Sequence, residues 1–319
     1  MRCFGVYLHT VAEACVCCGY PWRWAVSALG VTWCTVRSES LIESVPGWRG
    51  ELQLTLARQG ERTVVAQRRH LGPLNIQRAF YPEADVAHIY LLHPPGGVVG
   101  GDELYIDVDV QAGAHALITT PASGKLYRSD GRQARVQQVL RVASDATLEW
   151  LPQETLVYAG AQAQMTTRVE LQSGSRFIGW EMLCLGRPAC GETFTQGQLL
   201  QRFELWRDNK PIWLERSRFD GGASSLIADW GLRHKPLAAT LVATVNDAAL
   251  VERIRETVTP AAGSAADACF SVTQLDDVLV CRYLGTQAQL AQACLGRAWA
   301  EIRRRLLGRE PCAPRIWNT

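Results

Sequence analysis

The residues with the most chemical potential in this chain stand in one short block, His93-Pro94-Pro95-Gly96-Gly97-Val98-Val99-Gly100-Gly101-Asp102. Proline fixes φ and removes a donor, and paired glycines permit positive φ and close backbone approach, so the block is neither helix nor regular strand. It reads as a constructed loop with an imidazole at one end and a carboxylate at the other. Glycine loops of this kind can cradle phosphate with backbone N–H groups. That chemistry fails here, because no Gly-Lys-Ser/Thr ending occurs and the following Leu104 to Val110 alternates as a strand instead of opening a helix. A nucleophilic triad is equally unsupported: there is no Gly-x-Ser-x-Gly elbow, and the six histidines (9, 70, 88, 93, 115 and 234) form no catalytic pattern.

More carboxylates stand in apolar, strand-like surroundings. Glu149 and Glu154 flank Trp150-Leu151-Pro152-Gln153, Glu181 follows Trp180, and Glu215 follows Trp213-Leu214. Singly, a glutamate beside tryptophan on a strand points to solvent by alternation. Together with Asp102 they could line a polar interior path, whose carboxylate, imidazole and water donors suit a loosely held divalent ion better than thiolate-seeking zinc or copper(I). The competing reading is a metal-dependent hydrolase with Asp102, His93 and Glu149 around an activated water. Thr119 to Arg128, carrying Lys125, Tyr127 and Arg128, reads as an irregular, positively charged surface loop for a partner.

Strands must position these groups. Ala87 to Leu92 and Leu104 to Val110 clamp the glycine loop, Glu51 to Leu56 alternates strictly, and Arg202 to Trp206 leads through Asp208-Asn209-Lys210-Pro211 into Ile212 to Arg216 as a hairpin. An internal echo is more telling: Val108 to Ile118, Leu140 to Trp150 and Val169 to Trp180 each read strand, turn, strand, with turns at Gly113, Asp145 and Gly174 about thirty residues apart. Recurrence at that interval implies a mainly β, stacked, solenoid-like architecture. Helix signals are few: Asp247 to Val258, and a longer stretch from Thr286 to Leu307 with Gly308 as its C-cap. The tail with Pro314-Arg315-Ile316-Trp317 is expected to dock, because its large apolar side chains need burial.

Bulk properties limit the function classes. A 47% hydrophobic fraction with 20% charged residues indicates a globular chain with a sizeable core. The 33 basic and 31 acidic residues nearly cancel, so there is no electrostatic case for nucleic acid or an anionic membrane. Arg303-Arg304-Arg305 reads as a solvated helix face. Of eleven cysteines, five lie in the first 34 residues and six are scattered singly, which suits buried thiols in a reducing cytoplasm. Cys184 and Cys190 in particular read as buried thiols. Residues 1–47 differ from the remainder in having few charges and no clear period, and are expected to be an over-long reading frame or a disordered tail; residues 48–319 read as one domain.

Several motifs occur together and in order: Gly72-Pro73-Leu74, Phe80-Tyr81-Pro82-Glu83, the glycine loop, Lys125-Leu126-Tyr127-Arg128, Leu148 to Glu154, Cys184-Leu185-Gly186-Arg187-Pro188 and Pro314-Arg315-Ile316-Trp317. From about Trp48 to Thr319 the chain resembles the urease accessory protein UreD family, called UreH in some bacteria. The resemblance implies a mostly β stack with two helices and no catalytic activity. It implies partners UreF, the GTPase UreG reached through UreF, and apo-urease, with nickel(II) in transit and no tightly bound cofactor. It also implies an internal nickel channel, whose acidic positions match Asp102, Glu181 and Glu215, with His93 beside them. Pro94, Pro95, Gly96, Gly97, Gly100 and Gly101 would form the structural loop, and Lys125, Tyr127 and Arg128 a partner contact.

Overall fold

The computed structural model describes residues 47–263 and 268–318, so the expectations for the N-terminal extension lie outside the described residues. In chain order the strands are β1 (Arg49–Gln59), β2 (Arg62–Leu71), β3 (Asn75–Ile76), β4 (Ala87–Leu92), β5 (Glu103–Val110), β6 (His115–Thr119), β7 (Gly124–Leu126), β8 (Ala134–Val142) and β9 (Thr147–Trp150). They continue as β10 (Thr155–Val157), β11 (Gln162–Leu171), β12 (Arg176–Arg187), β13 (Glu192–Thr193), β14 (Gln198–Arg207), β15 (Lys210–Asp220), β16 (Leu237–Ala243), β17 (Cys269–Leu275) and β18 (Val278–Gly285). Among the described residues three α-helices accompany them: the single turn α1 (Ser224–Ile227), α2 (Ala248–Gly263) and α3 (Ala288–Leu307).

The strands form two sheets. One has seven strands in the order β15-β14-β11-β8-β5-β1-β2, and the other runs β17-β18-β16-β12-β9-β6-β4-β3 with β7, β10 and β13 attached beside it. The chain crosses between the sheets at Gly113, Asp145 and Gly174, whose φ angles are 71°, 58° and 80°. Glycine takes this left-handed conformation without a Cβ penalty, and aspartate tolerates it. After each crossing the chain returns one ladder position further on. β1, β5, β8, β11 and β14 are therefore parallel in one sheet, and β4, β6, β9 and β12 are parallel in the other. The thirty-residue echo is this stacked coil. The β14/β15 hairpin closes one edge through Asp208 and Asn209, both at positive φ (48° and 63°), the conformation tight hairpin turns require.

Three layers result. β5 and β11 alternate between buried and partly exposed residues because their outer face meets solvent. β6, β9 and β12 are buried on both faces, which is why they read as nearly continuous apolar runs. Trp150, Phe177 and Leu183 pack toward the seven-stranded sheet. Leu151, Ile178 and Trp180 pack toward Leu295, Trp299 and Ile302 of α3.

Both expected helices form close to their expected limits. Asp247 Oδ1 accepts the Leu250 N–H at 3.1 Å to start α2, and Gly308 at φ 63° ends α3 with its N–H on the Arg304 carbonyl. The tail docks as its composition requires: Trp317 donates its indole N–H to Thr119 Oγ1 at 2.9 Å and lies 5.5 Å from the Trp180 ring. No described helix is long and apolar enough to cross a membrane.

Candidate functional site

The glycine loop joins β4 to β5 and is zipped onto β7, with the Val98 N–H on the Lys125 carbonyl at 2.8 Å and the Tyr127 N–H on the Val98 carbonyl at 2.9 Å. The ring of Tyr127 lies on Gly97, where any Cβ would come within 2.2 Å of it, and Gly101 turns at φ 95°. Asp102 is buried and braces this loop: one carboxylate oxygen accepts the Trp48 N–H at 2.8 Å and the other the Val99 N–H at 3.0 Å. His93 is half-buried; burial lowers its imidazole below the ordinary 6.5, with the Asp102 charge opposing. The segment expected as an irregular partner loop is in part a strand, β7, because Gly124 to Leu126 find parallel partners in β10. Within it Tyr127 meets Tyr158 edge-on at 5.0 Å, and Arg128 is exposed.

Two cavities lie beyond this loop. The first, about 140 Å³, is bordered by His93, Lys125, Gln138, Trp150, Glu181 and Leu183. The second, about 320 Å³, is bordered by Glu181, Leu183, Gln201, Glu215 and Arg282. Glu181 and Leu183 border both. Strand register explains the placement. Cross-strand partners share a face, so Gln138, Thr167, Phe203 and Glu215 form one inward row across the seven-stranded sheet. Glu181, Thr240 and Arg282 form the matching row on β12, β16 and β18. The cavities thus lie between two largely polar rows, with Phe203 the apolar member, in an otherwise apolar interior.

Glu181 is buried, and burial pushes its carboxyl up to about 7, with the charge of Glu215 adding to the effect. Only neutral donors oppose this, the Thr167 hydroxyl and the Gln201 amide. Glu215 lies mostly buried at the far side of the second cavity, where its Oε1 accepts the Thr240 hydroxyl at 3.1 Å. Its Oε2 stands 2.6 Å from an Arg282 guanidinium nitrogen, yet off the N–H direction, so that oxygen accepts no aligned hydrogen bond. The indole N–H of Trp150, on the wall of the first cavity, has no protein partner. A buried donor of this kind is satisfied by water, so the space is suited to hydration. Imidazole and carboxylate donors spread one at a time along such a space can receive a divalent cation without enclosing it.

Glu149 belongs elsewhere. It lies on the helix-facing side of β9, fully buried, within 2.8 Å of His115 Nε2, and accepts the Trp299 indole N–H at 2.6 Å and Arg303 Nε at 3.2 Å. Arg303 in turn donates to both oxygens of Glu83 at 2.7 Å, and His88 Nε2 is 2.9 Å from Glu83. Burial works against ionisation of Glu149 and Glu83, but histidine and Arg303 contacts hold both below the usual carboxylate range. Two expectations are corrected here. The triple-arginine run is not one solvated face: Arg304 and Arg305 are exposed, whereas Arg303 is fully buried on the α3 stripe with Trp299 and Ile302. The hydrolase trio is not assembled, since Glu149 is committed to this second network while His93 and Asp102 belong to the glycine loop.

Glu83, His88 and Cys312 bring possible ligand atoms within 4.8 Å of one another. Arg303 already neutralises both Glu83 oxygens, which makes the group a poor holder of a cation. Of the other thiols, Cys184, Cys281 and Cys294 are buried, and burial raises Cys184 to about 11, so they are inert packing groups. Cys190, expected to be buried, is exposed beside the short turn at Pro188–Cys190.

Residues 49–318 match the family model described as UreD urease accessory protein. The chain is 45% identical over 277 residues to the urease accessory protein UreD of Alcanivorax borkumensis, covering 86% of this chain and 93% of that protein. Identity is 46% over 277 residues with the UreD of Azoarcus sp. strain BH72 (86% and 95% covered) and 42% over 273 residues with that of Klebsiella aerogenes (86% and 97% covered).

Proposed function

Since the chain belongs to the UreD family of urease accessory proteins, we propose that it serves urease maturation in the cytoplasm as a non-enzymatic scaffold that passes nickel(II) to apo-urease. In this reading it bridges UreF, and through UreF the GTPase UreG, to the urease subunits. Lys125, Tyr127 and Arg128 contribute a contact surface beside the glycine loop. The ion travels past His93, Glu181 and Glu215, and Asp102 fixes the loop at the His93 end.

One observation carries the conduit: Glu181 borders both cavities, so a cation moving from one to the other passes its carboxylate. A lone cation in an apolar interior is prohibitively expensive, and a carboxylate at the constriction offsets that cost. Single donors spaced along the path hold the ion weakly enough to release it, whereas a closed ligand set would retain it.

Glu181→Ala and Glu215→Ala, expressed with a complete urease operon, test the reading. The expected result is an intact complex with UreF and a urease nickel content several-fold below that supported by the unaltered protein, measured by elemental analysis. Full nickel loading by both variants overturns the conduit.

A further inference from the structure

The outer end of the path carries a cationic side chain in an unusual position. Arg282 on β18 reaches from the row of Glu181 and Thr240 to Glu215 on β15, so one ion pair spans the two sheets where the second cavity opens. The partners are unequally placed: the Glu215 side chain is 13% exposed and that of Arg282 53%. The contact is close but unaligned, held by charge and not by a directed hydrogen bond. A divalent ion arriving at Glu215 would meet a guanidinium only 2.6 Å from the oxygen it needs, and two cations competing for one carboxylate repel each other in a partly buried site.

We infer that Arg282 is a latch on the path, cancelling the charge of Glu215 until an anion outside draws the guanidinium away. The inference rests on the conduit reading and adds to it a resting state in which the mouth rejects cations. Arg282 is exposed enough to swing outward without disturbing the core. An acidic side chain of a protein docked at this mouth is its natural competitor, which would make cation entry depend on docking.

Calorimetric titration of the full-length chain with nickel(II) tests the latch. Arg282→Gln and Arg282→Met remove the charge while keeping an unbranched aliphatic stem, and both are expected to bind nickel at least about tenfold more tightly than the unaltered protein. Arg282→Lys, which retains the charge, should stay near the unaltered value, and Glu215→Gln combined with Arg282→Gln should lose the gain. A purely structural ion pair would lower stability in all the Arg282 variants and leave nickel affinity unchanged; that result overturns the latch. The two readings fail separately: full urease loading by both Glu181→Ala and Glu215→Ala defeats the conduit, whereas reduced loading by those variants with unchanged nickel affinity in Arg282→Gln and Arg282→Met defeats the latch alone.

Discussion

Two buried glutamates, on opposite faces of the same sheet, have opposite surroundings. Glu149 looks toward α3 and is matched by a histidine, an indole N–H and a buried guanidinium. Glu181 looks toward the seven-stranded sheet, has a hydroxyl and an amide as its hydrogen-bond partners, and feels the charge of another carboxylate, Glu215. A buried charge that is fully paired locks a structure, and one left short of partners is a cost the fold tolerates for another reason. The contrast separates scaffold from site more sharply than burial does, because both residues are buried.

The largest effect should come from breaking the paired side. Arg303→Leu leaves Glu83 and Glu149 buried without their cation and is expected to lose about 3 to 5 kcal/mol in urea unfolding. A loss below about 1 kcal/mol would show the network to be far less committed than its geometry implies. The second effect has the opposite sign. Folded Glu181 keeps its proton up to about 7 against an ordinary 4.5, so between those values the folded state binds more protons than the unfolded state, and stability falls as pH rises. That gap corresponds to about 3 kcal/mol once both states are ionised. Glu181→Gln should therefore stabilise the protein by about that amount at pH ~8 and by little near pH ~4.5. Glu149→Gln should instead destabilise by about 2 kcal/mol at neutral pH, since it weakens charge-assisted hydrogen bonds. Because Glu149 and Glu83 lie below their ordinary values, their contribution is present above about 4.5 and is lost as acid protonates them in the folded state. If Glu149→Gln and Glu181→Gln shift stability in the same direction at pH ~8, the distinction between the two faces collapses.

The coil was legible because its signals are local. Gly113, Asp145 and Gly174 announce left-handed turns, and the alternation of β5 and β11 follows from one wet face. Glu181 stood out only within a set of carboxylates beside tryptophans and through the family resemblance, since alone it reads as solvent-facing; the local trace of its burial is the apolar run from Phe177 to Leu185 on a doubly covered strand. The partners of Glu149 were not legible, since Arg303 lies 154 residues away and reaches it only after the stack and α3 are both in place. One trace was present: Arg303 stands four residues after Trp299, on the stripe that includes Leu295 and Ile302, and it is the member of the arginine run that the stripe buries. The cavities could not be read at all, because register across seven strands decides which side chains share a row, and that register depends on closure of the whole coil.

The smallest effect concerns how Glu181 is held. The Thr167 hydroxyl has a single proton and two acceptors within reach, the Glu181 carboxylate and Gln138 Oε1 at 2.8 Å. If the proton goes to the ionised carboxylate, it favours the charged form, and Thr167→Val must push the Glu181 midpoint further above 7. If it goes to Gln138 while a protonated Glu181 donates to the hydroxyl oxygen, the same change removes support from the neutral form, and the midpoint must fall. The expected outcome is a rise, with a stability loss of about 1 kcal/mol or less at pH ~8, read by infrared titration of the carboxyl band and by urea unfolding. A fall would mean that Glu181, Thr167 and Gln138 form one donor chain pointing into the first cavity, so that the under-partnered carboxylate is organised for the protonated state and not merely deprived of cations.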